Sequence, residues 1–185
     1  METLRPFFKY LNVGMIWLWR LGFGPLLNFW PAGLGRYVVI VHTGRKSGQP
    51  RYTPVNYTTI DGEIYVAAGF GRVSDWVRNT RANPQVEVWL PDGWWAGVVE
   101  DVTGEEGHAY KLRRVLIDSG FATPLFGGFD PRSVSDDELA QATADYRLIR
   151  IRRTAPRTGP GGPGEYAWVW PLVALWLLIF RPRKK

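Results

Sequence analysis

The chain passes through three regimes of apolar spacing. In the first, Leu4, Phe7, Phe8, Leu11, Met15 and Leu18 recur every three or four residues, and Arg20 closes the run. That is the spacing of one helix face. A helix of this kind either packs on a core or lies on a membrane surface, with Trp17 and Trp19 among the headgroups. It does not read as a signal peptide, because Lys9 and Arg20 bracket a short apolar run and no small-residue cleavage site follows.

From Tyr37 the period drops to two. Arg36–Thr43 (RYVVIVHT) is rich in β-branched residues and predicts a buried strand. Gly44–Pro50 is turn chemistry, Arg51–Thr59 a strand, Asp61-Gly62 a two-residue turn, and Glu63–Ala68 the returning strand. A short helix capped by Ser74 or Asp75 runs to Ala82, where Asn83-Pro84 ends it. Val86–Leu90, the Asp92-Gly93 turn and Trp95–Val102 form a second hairpin. Thr103 starts an amphipathic helix over Glu105–Ser119 with Gly120 as its C-cap. Asp136–Ala144 predicts a short helix, and Tyr146–Arg153 a strand that closes the sheet.

Six strands joined mainly by hairpins, with helices inserted, predict a mainly β fold: a small antiparallel barrel flanked by an N-terminal and a C-terminal helix. The expected organisation is an N-terminal helix and connector over 1–35, the barrel over 36–154, a Pro/Gly linker over 155–164, and an apolar segment with a basic end over 165–185. In the third regime, Tyr166–Phe180 has no charge and RPRKK follows it.

Composition removes several kinds of chemistry. The chain has no cysteine and only two histidines, His42 and His108. Disulfides, zinc-thiolate sites, a cysteine nucleophile and a multi-histidine metal site are therefore excluded. Five serines occur without a G-x-S-x-G elbow, and no Walker or G-x-G-x-x-G pattern is present. His42 lies on an apolar strand and reads as a satisfied core histidine. Charge is uneven: residues 82–146 hold four basic against twelve acidic residues, and 147–185 nine against one. A solvated face with salt bridges between the halves is the expected consequence.

The informative segment is Thr43–Asn56 (TGRKSGQPRYTPVN). Arg45, Lys46 and Arg51 sit on and just after a glycine-bearing turn, and Ser47 adds a hydroxyl. Such a turn either collects an anion, with arginine forks and a mobile lysine charge, or is an ordinary solvated hairpin tip. A nucleic-acid partner is not expected, because no recognition helix or interleaved exposed aromatics accompany the basic stretch.

GRKSGQPR, then YVAAGFG, then SDWVRNTRANPQVEV, in that order, closely resemble the deazaflavin-dependent nitroreductase family. The likeness runs from about Tyr37 to Val102. Its members are split β-barrel oxidoreductases that use coenzyme F420, whose phosphodiester and oligoglutamate tail make it a polyanion. The resemblance implies that Arg45, Lys46, Ser47 and Arg51 hold the phosphate and tail. It implies that the strand Tyr52, Thr53, Pro54, Val55 and Asn56 runs along the cofactor, and that Ala67, Ala68, Gly69 and Phe70 let the backbone approach its flat ring. Asp75, Trp76, Val77, Arg78 and Asn79 match the family's W-x-x-N helix start, whose N–H groups meet an anion.

By the same resemblance the reaction is hydride transfer from the reduced deazaflavin to a small quinone-like, conjugated or nitro acceptor, and it needs no metal. No catalytic residue is singled out. Phe126 and Phe129 stand where nitroimidazole-reducing members place tyrosines, which favours a flat apolar acceptor. Arg72 stands where many members have a lysine. On the same barrel the alternatives are a non-catalytic carrier of deazaflavin or fatty acid, and an FMN-dependent reductase. The sequence leaves the oligomeric state open.

The tail has 15 uncharged residues, about 22 Å as a helix, whereas a bilayer core is about 30 Å. Pro171 is also expected to disturb such a helix. The tail therefore reads as a shallow anchor at the cytoplasmic face of the membrane, with Trp168, Trp170 and Trp176 at the interface and RPRKK on anionic headgroups. The N-terminal helix is a second candidate contact. The alternative is a tail packed on protein.

Overall fold

The computed structural model describes residues 5–29 and 31–180. Six strands form a closed antiparallel barrel in the order β1-β2-β3-β6-β5-β4. They are β1 (Tyr37–Thr43), β2 (Pro50–Ile60), β3 (Glu63–Ala68), β4 (Gln85–Leu90), β5 (Gly93–Asp101) and β6 (Arg147–Pro156). The helices are α1 (Arg5–Arg20), α2 (Pro31–Leu34), α3 (Asp75–Ala82), α4 (His108–Asp118), α5 (Asp136–Ala142) and α6 (Val169–Ile179). The mainly β barrel expected from the alternating pattern is the observed fold.

Period-two alternation sorts the strands into two faces. Val38 and Ile40, Val55 and Tyr57, Ile64 and Val66, Val86 and Val88, and Ile149 and Ile151 fill the barrel interior. The outer face is covered twice. Trp19 of α1 is fully buried against Val39 and Trp89. Leu112, Val115 and Leu116 of α4 cover Tyr65 and Leu148. Helix α3 closes one barrel end, with Val77 buried and Trp76 packed against the interior cluster.

Several elements depart from the sequence reading. The buried face of α1 is Met15, Ile16 and Trp19, whereas Leu11 and Leu18 are exposed. Leu4 and the side chains of Phe7 and Phe8 lie outside the described residues. Helix α4 begins three residues late, behind Gly107 at φ +71°, and Thr103 serves instead as acceptor for the Leu148 N–H. Strand β6 continues to Pro156 because Ala96 and Trp95 of β5 pair with Ala155 and Pro156. Pro171 does not interrupt α6. It falls in the first turn, where a backbone N–H has no intrahelical partner to lose.

The segment 157–167 is packed down rather than extended. Arg157 pairs with Glu87, and Gly162 sits against the Trp94 ring, where a β-carbon has no room. Gly164 N–H donates to Trp19 O, Tyr166 N–H to Arg20 O, and Trp170 Nε1 to Leu21 O. Tyr166 stacks on Trp17, and Phe23 lies against Trp170. Beyond that junction α6 buries none of its residues.

Candidate functional site

Antiparallel order sends the ends of β1, β3 and β5 and the starts of β2, β4 and β6 to one end of the barrel. The β1–β2 turn, the 69–74 loop and α3 therefore meet there. The turn is closed by its own backbone: Ser47 and Gly48 N–H both donate to Gly44 O, and Gly44 N–H to Gln49 O. Gly44 fits the turn closely: a β-carbon there meets Ser47 Oγ at 2.8 Å and Gln49 O at 3.2 Å, so a larger residue would displace the hydroxyl.

The three cations of the turn have different partners. Arg45 is held by α3: its Nη2 is 2.9 Å from Asp75 Oδ1, and its backbone N and Nη1 donate to Asn79 Oδ1 at 3.2 and 2.8 Å. Lys46 and Arg51 are exposed, and among the described residues neither forms an ion pair. Arg51 Nη2 lies 3.5 Å from Ser47 Oγ, so hydroxyl and guanidinium face the same solvent. Of the remaining turn-and-helix set, exposed Arg78 donates to Arg72 O.

Beneath the turn is a buried polar file. Asn79 Oδ1 accepts from Arg45, which fixes its amide so that Nδ2 donates to His42 Nδ1 at 3.3 Å. His42 Nε2–H then donates to Thr53 Oγ1 at 3.0 Å. Burial pushes the imidazole down to about 4; a Thr43 backbone hydrogen bond opposes that and the Arg51 charge adds to it. His42 is a neutral, satisfied core histidine.

The strand residues divide by alternation. Thr53 and Val55 face inward with buried Ala68, while Tyr52, Pro54, Asn56 and Ala67 face outward. Tyr52 packs on Trp89 and lies under the Arg20 guanidinium, 5.1 Å from ring centre to Cζ. Asn56 Nδ2 donates to Arg36 O, which ties β2 to the connector from α2. Gly69 and Phe70 are exposed at the barrel end. An open groove of about 460 Å³ adjoins the turn, running from Gly48 and Pro50 past Tyr52 to Trp94 and Arg157.

Phe129 packs on the Tyr65–Leu112–Leu148 cluster, and Phe126 is half-buried in the 123–127 turn. Tyr146, expected only as the start of the closing strand, lies at the site. A β-carbon on Gly69 comes to 3.5 Å from its ring, so it forms a wall beside the alanine–glycine run, and burial raises its phenol pKa. Its position at the head of the closing strand was the available signal.

A basic, hydroxyl-bearing turn beside small residues on one barrel end suits a cofactor with an anionic tail and a flat ring. The model of the F420H(2)-dependent quinone reductase family matches residues 30–123, and the chain belongs to that family. It is an F420-dependent reductase. Among solved structures the chain is similar to a conserved hypothetical protein of Mycobacterium tuberculosis, at 23% identity over 74% of this chain and 90% of that one, TM-score 0.45. It is similar to the F420-H2 dependent reductase FDR-A at 21% identity, covering 63% and 92% of the two chains, TM-score 0.42. The heme storage protein of Vibrio cholerae matches at 15% identity over 73% and 90%, TM-score 0.44.

Proposed function

We propose that this enzyme passes a hydride from reduced F420 to a quinone-like or other conjugated or nitro acceptor. The observation that supports it best is the sorting of charge at the β1–β2 turn, where among the described residues Lys46 and Arg51 form no ion pair while Arg45 is engaged. When bound, the reduced deazaflavin supplies the hydride from its ring carbon. The chain's own residues bind and orient. Lys46, Arg51 and Ser47 take the phosphate and acidic tail through charge-assisted hydrogen bonds. The outward side chains of Tyr52, Pro54, Asn56 and Ala67, with exposed Gly69, give a surface on which a flat ring can lie close to backbone, whereas Ala68 faces the barrel interior. Phe129, Phe126 and Tyr146 form the apolar side that excludes water from acceptor and ring.

The test is titration of coenzyme F420 against full-length protein, followed by intrinsic Trp fluorescence. Lys46→Glu or Arg51→Glu should each weaken binding roughly ten- to a hundredfold, since a charge-assisted contact contributes about 1.5–3 kcal/mol. The KM for the acceptor should change far less. Unchanged affinity in both variants makes the turn a solvated hairpin tip. Comparing a quinone with a nitroaromatic acceptor at saturating F420H2 fixes the substrate class.

The same reading places the enzyme on the cytoplasmic face of a membrane, the barrel of 36–154 being the catalytic unit and 165–185 the anchor. Among the described residues no helix is long and apolar enough to cross a bilayer. Helix α6 exposes Leu172, Leu175, Trp176, Leu178 and Ile179, and α1 exposes Tyr10, Leu11, Val13 and Trp17. Four basic residues follow α6 in the sequence. Helix α6 is apolar all round rather than amphipathic, so the proposed anchorage rests on its exposed apolar area and on the basic residues that follow it in the sequence.

A further inference from the structure

We infer that Arg45 and Asn79 are positioning residues, and that the file Arg45–Asn79–His42–Thr53 locks the anion-binding turn to the barrel end. This rests on the reading that Lys46 and Arg51 hold the cofactor's anionic part. Arg45 reaches the start of α3 at Asp75, and by composition alone it looks like a third anion ligand. Its geometry makes it a strut. Two guanidinium nitrogens and the backbone N–H are all aimed at α3, reaching Asp75 Oδ1 and Asn79 Oδ1 at 2.8 to 3.2 Å. Those bonds occupy the Nη1–Nη2 edge of the guanidinium, one of the two edges through which it can fork onto an anion.

Asn79 is the pivot. It is buried, it accepts twice from Arg45 through one oxygen, and it donates from its nitrogen to His42 Nδ1. The far end of the file, Thr53, faces inward on β2 two residues past Arg51. The file therefore spans both strands that carry the turn, from Arg45 just past β1 to the start of β2, and joins them to α3. A turn held at both ends and from the side presents Lys46 and Arg51 in one geometry, which lowers the ordering entropy lost on binding.

Asn79→Leu separates strut from ligand, because it removes Arg45's acceptor and leaves its charge: a strut then loses its hold on α3, whereas an anion ligand is only set free. Arg45→Lys keeps the charge and loses the fork, so a strut is weakened by it as well. Asn79→Asp keeps an acceptor for Arg45 and removes the donor to His42. The carboxylate then faces Nδ1, with Arg51 of β2 opposite, Asp75 and Arg45 beyond the pivot and apolar Val86 on β4. His42 is expected to gain a proton on Nδ1 and to titrate well above about 4.

The experiment measures F420 affinity against salt for the wild type, K46Q, R51Q, R45K, N79L and N79D, and follows the two histidines by NMR. K46Q and R51Q should bind more weakly with a flatter salt dependence, since each loses an ionic contact. R45K and N79L should bind roughly tenfold more weakly with a salt dependence parallel to the wild type, and N79D should recover most of the N79L loss. In the wild type His42 should show a bare Nδ1 and a protonated Nε2, and N79D should shift its titration upward. If R45K binds like the wild type, or His42 titrates identically in N79D, the inference is overturned. If K46Q and R51Q are without effect, the underlying reading of the turn fails instead.

Discussion

Acidification from pH 7 to 4.5 should destabilise the protein through His42, the residue with the largest energetic stake in staying neutral. Its pKa is about 4 in the folded protein and 6.5 in the unfolded chain. Below pH 6.5 the unfolded chain takes up a proton that the folded protein refuses. Stability is therefore complete above about 6.5, falls as pH drops towards 4, and levels off beneath it. At about 1.4 kcal/mol per pH unit the full effect is about 3 kcal/mol, of which roughly 2.5 is reached by pH 4.5. That is a large share of a domain's usual 5–15 kcal/mol. Carboxylates titrate over the same interval, so the assay is a comparison. Urea denaturation of wild type and His42→Asn is followed between pH 8 and 4. Asn retains an acceptor for Asn79 and cannot protonate. It loses the Thr53 hydrogen bond, which costs about 1 kcal/mol at pH 7. The wild type should lead at pH 7 and fall behind below about pH 6. Parallel profiles would refute the claim that His42 is held neutral by burial between Asn79 and Thr53.

Gly120→Ala should cost about 2–3 kcal/mol in denaturant melts and also weaken F420 binding, because the residue has φ +57° and a β-carbon runs into the backbone of Gly33 and Gly35. That contact, with Phe121 N–H on Gly33 O, fastens the connector before β1 to the end of α4. Ser135→Ala removes a complete capping box on α5, in which Ser135 and Glu138 bond reciprocally, and should lower stability by about 1 kcal/mol without changing cofactor affinity. Deleting residues 165–185 should abolish binding to anionic liposomes while sparing turnover of a water-soluble acceptor. Equal liposome binding by the full-length and shortened proteins removes the anchor.

The barrel was legible because it is local. Hairpin turns such as Asp61-Gly62, with Asp61 at φ +53°, and the alternation of Tyr37–Thr43 and Glu63–Ala68 each depend on a few neighbouring residues. The register of α1 was not legible. Apolar residues occupy most of its circumference, so the sequence could not say that Trp19 rather than Leu18 meets Trp89. The start of α4 was missed for a related reason. Thr103 has the chemistry of a cap, and only the tertiary fold brings the Leu148 N–H to it. At the site the basic turn and the W-x-x-N segment were visible separately. Their interlock, Arg45 on Asp75 and Asn79, joins residues 30 and 34 positions apart and has no sequence signature.

The uneven charge of the chain resolves once the strands are paired. The basic run of β6 lies beside the acidic residues of β4 and β5 and the turn between them: Arg150 and Arg152 on Glu100, Arg153 on Asp92, and Arg157 on Glu87. These half-exposed pairs contribute little to stability, typically 0–1 kcal/mol each. They offset most of the positive charge along that side of the barrel, four arginines facing three carboxylates. Arg36, Arg81 and Arg113 are spent in the same way on Asp118, Asp101 and Asp136. Cations without such a carboxylate, Lys46 and Arg51 among them, thereby stand out at the barrel end. Field lines from unpaired charges reach about a Debye length, roughly 8–10 Å in ordinary buffers, so on the proposed reading this sorting would steer an anionic tail to the turn rather than to the paired strands. An evenly charged surface of the same net charge would attract that tail equally well to many places. On that proposal the pairing of β6 with β5 helps the turn compete for the ligand.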